Sequence, residues 1–298
     1  MPLKSTTKQS KGRFSILKKG ACLGAEVSGL DLTENISNQK LKIIQKALVK
    51  HEVLVFKHQN ISLDQFIKFG AHIGELSIHP FRNVGAGANK LSRTTKPGQR
   101  ELIILDNDEK NPPHSTDQWH SDEMFRETPP SATILRSSIL PKYGGDTIFA
   151  SMTTAYKNLS SPLQKFCSKL EAIHDFKVFR SLYSKDHEGR KKLLEIEKNF
   201  PNTTHPVIRT HPISRKKAVF VSPQTTIKIK GLRNFESESI LDLLYRLPEI
   251  PEYQFRVKWE PHMFIIWDNR STQHYAPRDF LPDRRRMERL TIKGDRPF

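Results

Sequence analysis

Residues 253–276 read YQFRVKWEPHMFIIWDNRSTQHYA, and the reading of this stretch decides the fold class. Tyr253, Phe255, Val257 and Trp259 alternate strictly with polar residues, the period of a strand with one buried face. Phe264-Ile265-Ile266-Trp267 is a short unbroken apolar run of strand length, followed by a polar turn and His274. Working outward, the same signature recurs in VLVFK (53–57), SATILRSSIL (131–140), DTIFAS (146–151), HPVIRTHP (205–212), AVFVS (218–222) and RMERLTIKG (286–294). PKYGG (141–145) is a turn signal between two of them. Helices are expected at 36–50, 153–170 and 236–246, and over SLDQFIKFGAHIG (62–74), where Ser62 and Gln65 have capping-box spacing. Many short strands with a few covering helices predict a mainly β chain (α+β), as a β-sandwich or double-stranded β-helix (jelly roll) rather than a doubly wound sheet. Residues 1–14 are expected to be a basic, flexible tail and 15–298 a single domain.

Composition narrows the function. A hydrophobic fraction of 36% with 9% aromatic residues belongs to a globular chain. The net charge of +17 would suit an anionic partner, but it is scattered, and SKDHEGRKKLLEIEK (184–198) reads as an exposed, charge-laced helix. Nucleic acid is therefore not the expected partner; a small anion is, and a homo-oligomer is left open. Cys22 and Cys167 are far apart and in no metal-ligand spacing, so no disulfide framework is expected. The N-terminus has no apolar core of signal-peptide length, and no apolar run approaches the ~20 residues of a membrane helix. A cytoplasmic protein is the expectation.

Residues 119–125, WHSDEMF, carry the first chemical signal. On a strand, His120 and Asp122 would share a face roughly 6.5 Å apart, with Ser121 facing away. Alone, the pair also reads as a polar pair at a strand end. His274 is the best distant third ligand, although a loop histidine bonded to backbone has the same appearance. In RRRMERLTI (284–292) a strand places Arg285, Met287 and Arg289 on one face, with Leu290 and Ile292 packing outward on the other. The two arginines would stand about 13 Å apart, and pointing inward they need anions to neutralise them. The bland counterpart is a charged edge strand in solvent. Two histidines and a carboxylate make the facial triad of non-haem Fe(II) oxygenases. A zinc hydrolase could use the same ligands, but inward arginines fit a metal-chelating dicarboxylate better.

These motifs, with GAEVSGLDL (24–32), GELSIHP (74–80), PPSATIL (129–135), GGDTIFAS (144–151), WDNRSTQHYA (267–276) and RRRMERLTIKGDRPF (284–298), give the chain its resemblance to a known family. It resembles the taurine dioxygenase family (TauD/TfdA type) of Fe(II)- and 2-oxoglutarate-dependent enzymes, from about residue 15 to the C-terminus. The resemblance implies that His120, Asp122 and His274 bind iron. It implies that Arg285 and Thr147 hold the far carboxylate of 2-oxoglutarate, and that His79 and Arg289 hold a substrate sulfonate. The implied reaction consumes O₂ and 2-oxoglutarate, releases succinate and CO₂, and hydroxylates the carbon beside the substrate's anionic group. A sulfonate would then yield sulfite and an aldehyde.

Departures from the family pattern cluster at the other end of the substrate. Arg82 stands where taurine enzymes have tyrosine, Thr116 where they have asparagine, and Glu123 where they have a small apolar residue. Phe179-Arg180 replaces a Ser-Phe pair, and the chain is one residue shorter near Gln224. Arg82, Glu123 and Phe179 therefore join the candidate substrate-binding residues, with Arg82 and Arg180 expected to add positive charge at the entrance. Glu123 is left to pair with one of those arginines or with a substrate amine. The other readings of the same triad are a nucleic-acid-directed 2-oxoglutarate dioxygenase and a non-enzymatic metal-binding jelly roll.

Overall fold

The computed structural model describes residues 13–78, 100–180 and 187–298. Its centre is an eight-stranded mixed sheet. The strands run in the order Ser15–Lys18, Ala25–Ser28, Val53–Phe56, Phe264–Asp268, Ala132–Ile139, Arg285–Ile292 and Leu76–Ser77, with Ile103–Asn107 also pairing to Arg285–Ile292. Pairing is antiparallel except between Ala25–Ser28 and Val53–Phe56. A three-stranded antiparallel sheet, Gln254–Val257, Thr147–Ser151 and Thr272–Tyr275, packs against it.

The unbroken apolar runs are explained by this stacking. Val53–Phe56 and Phe264–Asp268 are buried at every position because the sheet is covered on both faces. On the outer face Leu54, Phe56, Ile134, Phe264, Ile266 and Leu290 pack against Ile44, Leu48, Phe66 and Phe69 of helices Asn38–His51 and Leu63–Ile73. On the inner face Val53, Val55, Leu135, Ile265, Trp267 and Met287 meet Phe149 and Val257 of the smaller sheet and Trp259 just beyond its edge strand. Each fully buried side chain of this size contributes about 1.5–3 kcal/mol, so the alternation along each strand fixes its register. The expected outward packing of Leu290 and Ile292 is what is observed.

The helix at 62–74 begins as its sequence predicts. Ser62 Oγ accepts from the Gln65 N–H at 3.2 Å, and Gln65 Oε1 accepts from the Ser62 N–H at 2.7 Å. The helix expected over 153–170 is instead two, Met152–Asn158 and Ser161–Cys167. Leu159 and Ser160 take extended ψ angles near 147°, and Pro162 opens the second helix, where a missing N–H costs nothing. His187–Asn199 has no buried residue, as its charge pattern predicts. A third sheet (Thr226–Ile229, Glu171–His174, Thr203–Pro206) and the hairpin Ile208–Thr210/Lys217–Val219 extend the smaller layer. Both cysteines are free thiols. Among the described residues no helix is long and apolar enough to cross a membrane.

Candidate metal centre and active site

His120, Asp122 and His274 come together between the two sheets, all three buried, with one ligand atom from each within 4.8 Å of the others. They do not do so as the sequence predicts. His120 forms only a single bridge, exchanging backbone hydrogen bonds of 3.1 and 2.8 Å with His274, and Asp122 lies in the turn that follows. The pairing with strand Thr272–Tyr275 brings the two imidazoles together, ring centroids 4.1 Å apart and planes tilted by 47°. Ser121 turns inward too, donating to the Thr272 carbonyl at 2.5 Å.

Each ligand is held by neighbours. His120 Nδ1 lies 2.7 Å from the Gln118 carbonyl, which directs Nε2 to the centre. The Phe149 and Trp267 rings flank the His274 ring. Asp122 Oδ2 accepts from Thr133 Oγ1 at 2.5 Å, and Asn269 Nδ2 donates to that same hydroxyl oxygen at 2.8 Å. Asn269 Oδ1 in turn accepts from Trp267 Nε1 at 2.9 Å.

Electrostatics make this a donor set for a cation. Burial pushes the His120 imidazole below its ordinary pKa and takes His274 down to about 3, the latter aided by its histidine neighbour. Burial alone would raise the Asp122 carboxyl, but Arg289 and the two histidines override it and hold it well below the usual carboxylate range. Two neutral imidazoles and one carboxylate are the ligands a divalent iron takes, and the buried His274 Nδ1 lacks a partner among the described residues. The residues present fit the metal.

A cavity of about 100 Å³ opens from this centre, lined by both histidines and by Thr147, Arg285 and Arg289. Arg285 and Arg289 thus share the inward face of strand Arg285–Ile292. Arg285 donates from Nε to the Gly145 carbonyl at 3.0 Å, with the Trp259 and Phe280 rings each 5.9 Å from its guanidinium carbon. Its Nη2 is buried without a partner among the described residues, and burial lowers its pKa to about 10. Gly145 is required there: at φ +71° a Cβ would stand 3.0 Å from Arg285 Cδ. Thr147 Oγ1 accepts from Trp259 Nε1 at 3.0 Å, which leaves the hydroxyl proton to donate elsewhere.

With this geometry in place, comparison with known proteins decides the family. The family described as "Taurine catabolism dioxygenase TauD, TfdA family" matches residues 15–291. The chain belongs to that family. This TauD/TfdA family member is 34% identical over 297 residues to the alpha-ketoglutarate-dependent sulfonate dioxygenase of Saccharomyces cerevisiae, covering 97% of this chain and 69% of the relative. It is 34% identical over 280 residues to the alpha-ketoglutarate-dependent sulfate ester dioxygenase of Pseudomonas putida, covering 92% and 88%. Among solved structures, a taurine dioxygenase from Burkholderia xenovorans superposes with a TM-score of 0.77 at 30% identity, covering 95% of this chain and 92% of that one. The protein is a 2-oxoglutarate-dependent dioxygenase, with Fe(II) as its metal and 2-oxoglutarate and O₂ as co-substrates.

The remaining sequence-predicted residues of this TauD/TfdA member divide. His79 and Arg82 lie outside the described residues, and Phe179 falls on helix Lys177–Arg180. Arg180, expected to add charge at the entrance, is engaged by Asp175 at 2.7 Å and by Glu197. Glu123, buried at a φ of 50°, has partners the sequence reading did not name: Arg126 at 2.8 Å and Arg289 at 3.3 Å. Thr116 lines the cavity. Thr133, Asn269 and Arg126 have no signal of their own in the sequence, and Trp259 reads there only as a buried strand residue. PPSATIL and WDNR carry two of them as motif letters, but nothing in the spacing ties either to Asp122.

Proposed function

We propose that this chain oxidises a small anionic substrate, a sulfonate, sulfate ester or carboxylate, at the carbon beside the anionic group. The observation that carries the reading is a cavity lined by both triad histidines and by two arginines on one strand face. A buried guanidinium with an open donor favours an anion, and the two arginines would supply two anion sites. In this reading the stacked sheets form a double-stranded β-helix (jelly roll), and residues 15–298 act as one dioxygenase domain.

His120, Asp122 and His274 would hold Fe(II), which when bound supplies the O₂ chemistry that couples decarboxylation of 2-oxoglutarate to oxidation of a C–H bond. Arg285 and the Thr147 hydroxyl would receive the far carboxylate of 2-oxoglutarate, the former through Nη2, which has no partner among the described residues, and the latter by donating its hydroxyl proton. Arg289, with His79, would fix the substrate's anion and so present the adjacent carbon to the metal; Arg82, Glu123 and Phe179 would shape the rest of its site. Trp267, Leu135 and Phe280 wall the cavity, which keeps water from competing for the reacting centre. A sulfonate hydroxylated at that carbon collapses to sulfite and an aldehyde.

The test is succinate formation by the protein with Fe(II), O₂ and 2-oxoglutarate, across a panel of alkyl sulfonates, alkyl sulfate esters and carboxylates. Stimulation by at least one anionic class is expected, with sulfite released from sulfonates. Succinate production that no anion stimulates would overturn the substrate class.

A further inference from the structure

Arg289 is not waiting empty for a substrate. Its Nη1 donates to Asp122 Oδ1 at 3.2 Å and its Nη2 to Glu123 Oε1 at 3.3 Å, while its Nε is buried without a partner among the described residues. Nε–H and Nη2–H together form the side-on fork of a guanidinium, the face that matches a carboxylate through two parallel hydrogen bonds. Glu123 therefore fills half of the fork. Its other oxygen, Oε2, accepts from Arg126 Nη1 at 2.8 Å, and that same nitrogen donates to Ser77 Oγ at 3.1 Å. Glu123 is 5% exposed and sits in the left-handed region, φ 50°, which costs a non-glycine residue about 1 kcal/mol. The two arginines that clamp its carboxylate offset that strain.

Resting on the assignment of Arg289 to the substrate's anion, we infer that Glu123 is a specificity-determining residue, a built-in competitor that penalises carboxylate substrates and thereby selects tetrahedral sulfur oxyanions. A tethered carboxylate acts at high effective concentration. A substrate carboxylate, which recognises the guanidinium through the full two-point fork, must displace Glu123 from Nη2 and replace it with the same kind of contact. The exchange gains nothing and leaves two like charges side by side. A sulfonate or sulfate ester carries its charge on three oxygens. One of them can take the open Nε while Glu123 keeps Nη2, and the other two remain for further donors. Arg126 is the second anchor that lets Glu123 lean away when an anion arrives.

The experiment measures binding without turnover. Hexanesulfonate and hexanoate are titrated calorimetrically into protein loaded with Mn(II) and 2-oxoglutarate without O₂, for wild type, Glu123→Gln and Arg126→Gln. Glu123→Gln is expected to bind hexanoate about tenfold tighter or more, since like-charge juxtaposition is costly. Hexanesulfonate should gain less, so the sulfonate preference narrows. Arg126→Gln should weaken both anions, because Glu123 then loses its 2.8 Å anchor and leans more on Arg289. If Glu123→Gln leaves both affinities or their ratio unchanged, or if Arg126→Gln binds both anions as wild type does, the competitor role is overturned. Wild-type binding would in that case still leave Arg289 as the anion site. Absence of saturable binding in all three proteins would overturn that anion site together with the competitor.

Discussion

Arg285 and Arg289 stand four residues apart on one face of one strand and line one cavity, yet they are built oppositely. Arg285 is sealed between two aromatic rings, bonds only a carbonyl through Nε, and has a buried nitrogen without a partner among the described residues. Arg289 is neutralised by two carboxylates from adjacent residues, Asp122 and Glu123. Asp146 and Asp279 act on the Arg285 charge without pairing with it, and a desolvated cation with no contacting counter-ion among the described residues is expensive, so the first arrangement favours an anion from solution. The second holds its own counter-ions and can be tuned by changing one of them. Under the proposed roles, the difference teaches that the Arg285 end of the cavity, offered to the co-substrate, is fixed while the Arg289 end, offered to the substrate, is adjustable.

The most severe way to break the comparison is to remove what both arginines serve. His120→Ala or Asp122→Ala should abolish Fe(II) binding and 2-oxoglutarate turnover while far-ultraviolet circular dichroism stays native, because a pair of ligands holds the metal weakly. Metal content and succinate yield check this. Wild-type turnover in either variant would remove the triad from the mechanism.

A smaller effect sharpens the comparison directly. Arg285→Ala should raise the KM for 2-oxoglutarate about 100-fold, within the 2–5 kcal/mol typical of truncating one partner of a buried charge pair. Thr147→Val should raise it about tenfold or less, the scale of one hydrogen bond. Arg289→Ala should act chiefly on the KM for the anionic substrate. Steady-state kinetics with each co-substrate varied in turn separates these. If Arg285→Ala and Arg289→Ala shift the same KM, the two ends of the cavity are one site and the contrast fails.

How much of this was legible in the sequence follows the same division. The strands were readable because two-sided burial leaves unbroken apolar runs such as FIIWD and one-sided burial leaves alternation. That Arg285, Met287 and Arg289 share a face follows from period two; that the face points inward is settled only by the packing. The geometry of His120 and Asp122 differs from the sequence pattern: spacing two predicts a shared strand face, whereas the chain leaves the bridge at His120 and turns, so convergence comes from the turn. Thr133 and Asn269 lie 11 and 147 residues from Asp122, and no local rule encodes those hydrogen bonds. Nor could charge counting foretell that Arg180 is taken by Asp175 and Glu197 while Glu123 settles between Arg126 and Arg289. Which charge is spent on which partner is a tertiary fact.

The gentlest test uses a buried carboxylate that does not line this cavity. Glu52, 3% exposed, ends helix Asn38–His51 at a φ of 64°. Its Oε1 accepts from Thr153 Oγ1, and Oε2 has no partner among the described residues. Asp268, Lys216 and Cys22 are the titratable groups that act on it or feel its charge, and Asp268 is itself paired with Arg270 and His211. Burial pushes Glu52 up to about 7, against hydrogen bonds from Thr153 and Ser151. In the unfolded chain it titrates near 4.5, so between those values folding takes up a proton. The stabilisation is fully present below pH 4.5 and is lost as pH rises through 7, about 3 kcal/mol in all. Glu52→Gln cannot ionise. Its thermal midpoint relative to wild type should therefore rise by about 5 °C between pH 5 and pH 8. The KM values for 2-oxoglutarate and substrate should be the same in both proteins, because Glu52 does not line the cavity. A pH-independent difference in midpoint would mean that Glu52 is ionised in the folded protein across that range. A change in either KM would mean that a sealed charge reaches the site, and the distinction between Arg285, open to an anion from solution, and a merely buried group would lose its force.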